Sequence, residues 1–316
     1  MRALSALDSG PDWDSITPAQ LVEAREAQER VRRSALGALV NGRPDRGAHI
    51  STHALELPGR TLSVRVYRPS GGGTDLPLIV AFHGGGFITG VPGQDDWLLS
   101  HLAAAGPAVV ASLDYRLAPE HVLPAAVEDA CEATPLLLAR ATQWGADGTR
   151  LALLGSSAGA TLAVRAADHA AALGLRVRTQ VLINPQIDWT DAVFEYPSFT
   201  ENAESPTATP ANCRAVQRLA MRPGFDARTV SPMYLDVTGT APVLIQSAGL
   251  DPLEDHSPAY AERLRAAGVE VTLTRYPRAT HAFLSMPGLV SAARPARAEV
   301  LAHLRSRLAA TKAVQR

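Results

Sequence analysis

The stretch Leu153-Leu154-Gly155-Ser156-Ser157-Ala158-Gly159-Ala160 constrains this chain more than any other. A short apolar run ends in G-x-S-x-G and continues into residues that favour a helix. A strand turning sharply into a helix would carry Ser157 on the turn, its hydroxyl pushed out of the sheet. The first amides of the helix would then point at any negative charge developing beside it. Glycines at 155 and 159 suit such a turn, because a Cβ there would clash. The same residues could do no more than join a strand to a helix, so the pattern needs partners elsewhere.

One partner lies upstream. Leu78-Ile79-Val80-Ala81-Phe82 reads as a buried strand and ends in His83-Gly84-Gly85-Gly86-Phe87. Three glycines at the carboxyl end of a strand let the backbone approach a ligand and aim its N–H groups at it. HGGG loops of this kind form oxyanion sites in lipases and esterases. A flexible turn is the plainer reading, and it is the one that suits Ser70-Gly71-Gly72-Gly73, which no strand precedes.

Downstream come an acid and a base. Val243 to Gly249 reads as a strand ending in small residues, followed by Leu250-Asp251-Pro252-Leu253-Glu254-Asp255. Val269 to Tyr276 alternates like a half-buried strand and leads to Pro277-Arg278-Ala279-Thr280-His281-Ala282-Phe283. Ser157, Asp251 and His281 therefore each follow a strand, in the order Ser, Asp, His, which is the α/β-hydrolase order. Alone, such an aspartate is a common turn or cap residue, and His281 is one of nine histidines. Asp255 and Glu254 remain alternative partners for the histidine.

On these residues the chain resembles the hormone-sensitive lipase family, the bacterial family IV carboxylesterases. The matching pieces are His83 to Phe87, Asp114-Tyr115-Arg116-Leu117-Ala118-Pro119-Glu120, Gly155 to Gly159, Asp251 to Asp255 and His281-Ala282-Phe283. Their order and spacing fit from about residue 45 onward. Asp114 to Glu120 reads as a turn bracing the active-site loops. The family usually has Asp where Ser156 stands and Gly where Ala160 stands, so a carboxylate behind the nucleophile is missing. The resemblance implies catalysis by Ser157, Asp251 and His281. It implies an oxyanion hole from Gly85, Gly86 and the Ala158 amide, with His83 bracing the loop.

Composition bounds the rest. At 316 residues, 46% hydrophobic and 19% charged, the chain is long enough for one sizeable core. A net charge of -1 with no basic run argues against a nucleic-acid partner. Two cysteines, Cys131 and Cys213, make no disulfide framework. No run approaches a membrane span, and Met1 to Ser5 opens no continuous apolar signal segment, so a cytoplasmic enzyme is expected. No cofactor or metal is expected, since no His/Cys/Asp cluster has ligand spacing.

The organisation expected is an α/β-hydrolase fold: a mainly parallel central sheet, helices on both faces and a helical cap. Residues 17–42 read as one amphipathic helix, with Thr17 as N-cap, Pro18 at N1, Gln20 completing a capping box and Asn41-Gly42 ending it. Residues 50–57 and 60–68 read as a hairpin, and strands follow at 77–82, 108–113, 151–155, 179–184, 242–248 and 269–276. The interruption at 186–240, with a helix near 211–221, reads as an inserted lid. This divides the chain into a first cap segment at 1–45, a catalytic body at 46–185 and 241–316, and a second cap segment at 186–240. Phe87, Trp189, Phe194 and Tyr196 are candidates for the substrate pocket, though some could serve only the cap's own core.

The function expected is hydrolysis of short-to-medium acyl esters of small molecules through an acyl-enzyme. An amidase or peptidase with the same triad is the alternative, and a non-catalytic binding protein on this scaffold is a rival of another class. A dinucleotide-binding oxidoreductase would require G-x-G-x-x-G, which His83 to Phe87 does not match. The oligomeric state stays open, with a homodimer allowed.

Overall fold

A computed structural model describes residues 12–310. The N-terminal segment forms two helices, α1 (Pro18–Arg33) and α2 (Ala35–Asn41), followed by the hairpin β1 (Ala48–Leu57) and β2 (Arg60–Pro69). The alternating body then runs β3 (Leu76–Phe82), α3 (Asp96–Ala105), β4 (Val109–Asp114), α4 (Ala125–Ala139), β5 (Ala146–Ser156), α5 (Ala158–Ala172) and β6 (Val177–Ile183). After α6 (Pro197–Glu201) and α7 (Pro210–Ala220) it resumes with β7 (Val243–Leu250), α8 (His256–Ala266), β8 (Val271–Thr280) and α9 (Ala293–Leu308).

The eight strands form one sheet in the order β1-β2-β4-β3-β5-β6-β7-β8. β2 pairs antiparallel with β1 and β4, and every other pairing is parallel. The two-residue side-chain period divides each central strand between two cores. Leu78, Val80 and Phe82 of β3 join Leu151 and Leu153 of β5 under α4, α5 and α8. Ile79 and Ala81 join Ala152 and Leu154 on the opposite face, under α3 and α9. Burial on both faces explains why these strands read as unbroken apolar runs. Among the described residues, no helix is long and apolar enough to cross a membrane.

The expected helix over 17–42 is in fact two. The capping box at Thr17 and Gln20 forms, but Ser34 is extended at φ -79°, ψ 169°. Its hydroxyl donates to the Val31 carbonyl at 2.6 Å and accepts from the Gly37 amide at 3.2 Å. One side chain thus ends α1 and caps α2.

Both helices lie against loops at the carboxyl ends of the strands. Arg25 donates to the carbonyls of Ile88 and Ala118 and pairs with Glu120 at 2.9 Å. Asn41 Nδ2 donates to the Ser285 carbonyl at 2.7 Å. α7 meets the loop after β3 from another side, with Val216 facing Gly86, and Arg218 donates to the carbonyls of Trp13 and Asp14, just before α1.

Candidate active site

Ser157 sits between β5 and α5 with φ 54° and ψ -121°. A conformation this rare for a side-chain-bearing residue costs about 1–3 kcal/mol and persists only where its surroundings impose it. The constraint comes from packing. A Cβ on Gly155 would collide with the Gly159 carbonyl, and one on Gly159 would collide with the carbonyls of Phe82 and His83. Three backbone hydrogen bonds hold the turn: Ser157 N–H to the Ile183 carbonyl at 2.9 Å, and the Ala160 and Gln186 N–H groups to the Ser157 carbonyl at 2.9 and 3.2 Å.

The loops after β7 and β8 bring the other two residues to it. His281 Nε2 lies 2.8 Å from Ser157 Oγ, and His281 Nδ1 lies 2.6 Å from Asp251 Oδ2. The carboxyl of Asp251 is buried. Its other oxygen accepts the Leu253 amide at 2.9 Å, which fixes the plane of the group. The alternative acids are engaged elsewhere. Asp255 accepts the Ser198 amide at 2.8 Å, and Glu254 pairs with Arg275.

The glycine loop after β3 closes the site. The amides of Gly85, Gly86 and Ala158 enter none of the loop and turn backbone hydrogen bonds among the described residues. Gly86, at φ +63°, has no room for a side chain, because a Cβ would stand 2.7 Å from Val216 Cγ1. Behind the loop, His83 is fully buried, and burial lowers its pKa to about 4, so the ring is neutral. Its Nδ1 lies 2.8 Å from the Gly84 carbonyl. The Tyr115 hydroxyl donates to the His83 carbonyl at 2.7 Å. His83 and the Asp114 to Glu120 turn are therefore braces.

These groups face a cavity of about 490 Å³. The structure does not place the four candidate aromatics in its wall. Phe87 and Trp189 are buried and pack on each other, ring centroids 4.6 Å apart. The Trp189 indole N–H is turned inward to Thr161 Oγ1 at 2.9 Å. Phe194 packs on Phe199 beneath the Arg214 guanidinium, and Tyr196 packs on the buried His256. Trp189 faces the core, where its indole N–H has a partner, and Phe87 packs on its ring there. The wall consists instead of Trp13 and short or polar residues, including Gln186, Asn212, Cys213, Val216 and Leu253. Gln186, three residues past the end of β6, and Leu253, within the Asp251 to Asp255 loop, carried a positional signal. Burial pushes the Cys213 thiol up to about 12, so it is no competing nucleophile. Among the described residues, no group of three His, Cys, Asp or Glu could hold a metal.

Comparison with known proteins agrees with this frame. The family model described as alpha/beta hydrolase fold matches residues 79–285. Carboxylesterase NlhH of Mycobacterium tuberculosis is 35% identical over 255 residues, covering 78% of this chain and 79% of that protein. An ethyl acetate hydrolase of Pseudomonas putida is 33% identical over 299 residues, 92% of each. Among solved structures, a hyperthermophilic esterase of the archaeon Pyrobaculum calidifontis aligns with a TM-score of 0.86 at 30% identity, covering 96% of both chains. The matched span runs from β3 past the histidine loop, and on that ground the chain belongs to the alpha/beta hydrolase fold family, in its hormone-sensitive lipase branch.

Proposed function

We propose that this protein is a serine carboxylesterase acting on short-to-medium acyl esters of small molecules through an acyl-enzyme at Ser157. The observation that carries the reading is the continuous hydrogen-bonded line from Asp251 through His281 to Ser157. Ser157 Oγ attacks the ester carbonyl carbon while His281 Nε2 takes the hydroxyl proton. The Asp251 carboxylate accepts from Nδ1–H, which selects the tautomer and stabilises the imidazolium. The carbonyl oxygen becomes an oxyanion held by the amides of Gly85, Gly86 and Ala158. One such donor is typically worth about 10²–10³ in rate. His281 then gives its proton to the departing alkoxide, leaving an ester on Ser157. Water repeats the sequence, giving its proton to His281 and its oxygen to the acyl carbon, and Ser157 leaves protonated.

In this reading, residues 1–45 and 186–240 act together as a cap over the body formed by 46–185 and 241–316. The bonds from Arg218 to the carbonyls of Trp13 and Asp14, and the contact of Val216 with Gly86, support that division. A cytoplasmic location belongs to the same reading and suits two free cysteines.

Steady-state rates on p-nitrophenyl esters of increasing acyl length, with one anilide alongside, test the function. Rates should rise with each methylene that fits and then drop, and the anilide should be slow. Ser157→Ala should abolish activity, and a serine-directed phosphonate should label Ser157 alone. Retention of a tenth of the wild-type kcat, or labelling at Ser156, refutes the assignment.

A further inference from the structure

The chain contains thirteen Asn and Gln residues, and five of them line the catalytic cavity: Gln28, Asn41, Gln94, Gln186 and Asn212. No Asp, Glu, Lys or Arg lines it among the described residues. These carboxamides come from α1, α2, the loop after β3, the loop after β6, and α7, so no single element accounts for them. Several retain unused hydrogen-bonding capacity among the described residues. Gln28 and Gln186 form no side-chain hydrogen bond there. Asn41 uses its Nδ2 on the Ser285 carbonyl and keeps its oxygen. Asn212 uses its oxygen to cap α7 and keeps its Nδ2.

The wall also mixes polar and apolar groups. Thr89, Gln94, Ser285, Asn41 and Gln28 supply polar groups from α1, α2 and the loops after β3 and β8, and the Asn41 bond joins α2 to the Ser285 loop. Pro206, Ala208, Cys213, Val216 and Leu253 supply its apolar groups, from the segment before α7, from α7 itself and from the loop after β7, with Thr207 and Asn212 among them. Trp13 is the one Trp, Tyr or Phe in the lining among the described residues.

We infer that the substrate is a short acyl ester of a neutral, polyhydroxylated alcohol, its acyl group against the apolar groups and its hydroxyl groups on the carboxamides. The inference rests on the esterase reading above. A hydroxyl both donates and accepts, as a carboxamide does. An aliphatic alcohol would leave those carboxamides without partners once it had excluded water. A charged substrate would find no counter-ion.

Two matched pairs of acetates test this with the full-length enzyme. One pair is methyl 6-O-acetylglucopyranoside with cyclohexylmethyl acetate, and the other is glyceryl monoacetate with n-propyl acetate. In at least one pair the hydroxylated ester should have the higher kcat/KM by roughly tenfold or more. The pair with the larger ratio tells a ring from an open-chain polyol. Gln28→Leu, at an exposed helical position, and Gln186→Leu, nearly isosteric, should each reduce that ratio several-fold. A ratio at or below one in both pairs overturns the inference, and so does a ratio unchanged in both variants. p-Nitrophenyl acetate separates the two levels. If it is hydrolysed while the hydroxylated esters are not preferred, only the substrate class is wrong; if it is not hydrolysed, the esterase reading itself falls.

Discussion

Tyr115 lies flat on His83, ring centroids 4.2 Å apart and planes 13° from parallel, with its hydroxyl bonded to the His83 carbonyl. The pair joins the end of β4 to the end of β3, where the glycine loop begins. Tyr115→Phe keeps the stack and deletes the bond. Weakening a buried carbonyl's hydrogen bonding should cost about 1 kcal/mol. If the bond also aims the loop, kcat on p-nitrophenyl acetate should fall several-fold with KM nearly constant. A lower melting temperature with unchanged kcat would restrict the bond to stability.

Asp251→Asn should lower kcat by roughly 10⁴, because an amide donor facing Nδ1 favours the wrong histidine tautomer. Asp255→Asn should change kcat by less than threefold, since its oxygen serves only to cap the Ser198 amide. Comparable losses in the two variants would mean that Asp251 is not the residue that orients His281.

Gly86→Ala should be nearly inactive. Its Cβ would press on Val216 and displace the amides expected to bind the oxyanion. Adding Val216→Ala should recover a measurable part of kcat, though not all of it, because an alanine at φ +63° stays strained. Double-mutant kinetics measure the coupling. Simple additivity of the two losses would show that the contact between α7 and the loop has no catalytic weight.

The glycine turns and strand ends could be read from sequence because local chemistry dictates them. An apolar run that stops at a glycine-flanked serine has few other uses, and Ser157, Asp251 and His281 each stand immediately past the end of a strand. The orientation of side chains in long loops has no such local rule. Trp189 and Phe194 belong to an inserted segment whose aromatics could face either way, and the indole's partner, Thr161, is 28 residues away. Ser34 was hidden for a different reason. Apolar spacing continues across it, while the break depends on a hydroxyl that bonds backward and forward at once.

Acidification should destabilise the fold between about pH 6.5 and 4. Burial holds His83, His256 and His303 down to about 4, so in that window the unfolded chain binds three protons that the folded chain refuses. Asp95 acts in the opposite sense. Burial raises its carboxyl to about 6, so the folded chain takes a proton there that the unfolded chain does not. Three against one leaves about two net protons, or ~2.7 kcal/mol per pH unit. The urea midpoint should therefore be lower at pH 5 than at pH 7.5, and Asp95→Asn should steepen the fall. A midpoint that rises on acidification would contradict the burial of these histidines.

The grip of Arg25 has a consequence for how the protein is made. Its guanidinium is held by carbonyls of residues 88 and 118 and by Glu120. Those anchors are synthesised some 60 to 95 residues after the helix that carries Arg25. That helix is thus secured only once the loops after β3 and β4 have been made, and α2 waits longer still, for the Ser285 carbonyl past the end of β8.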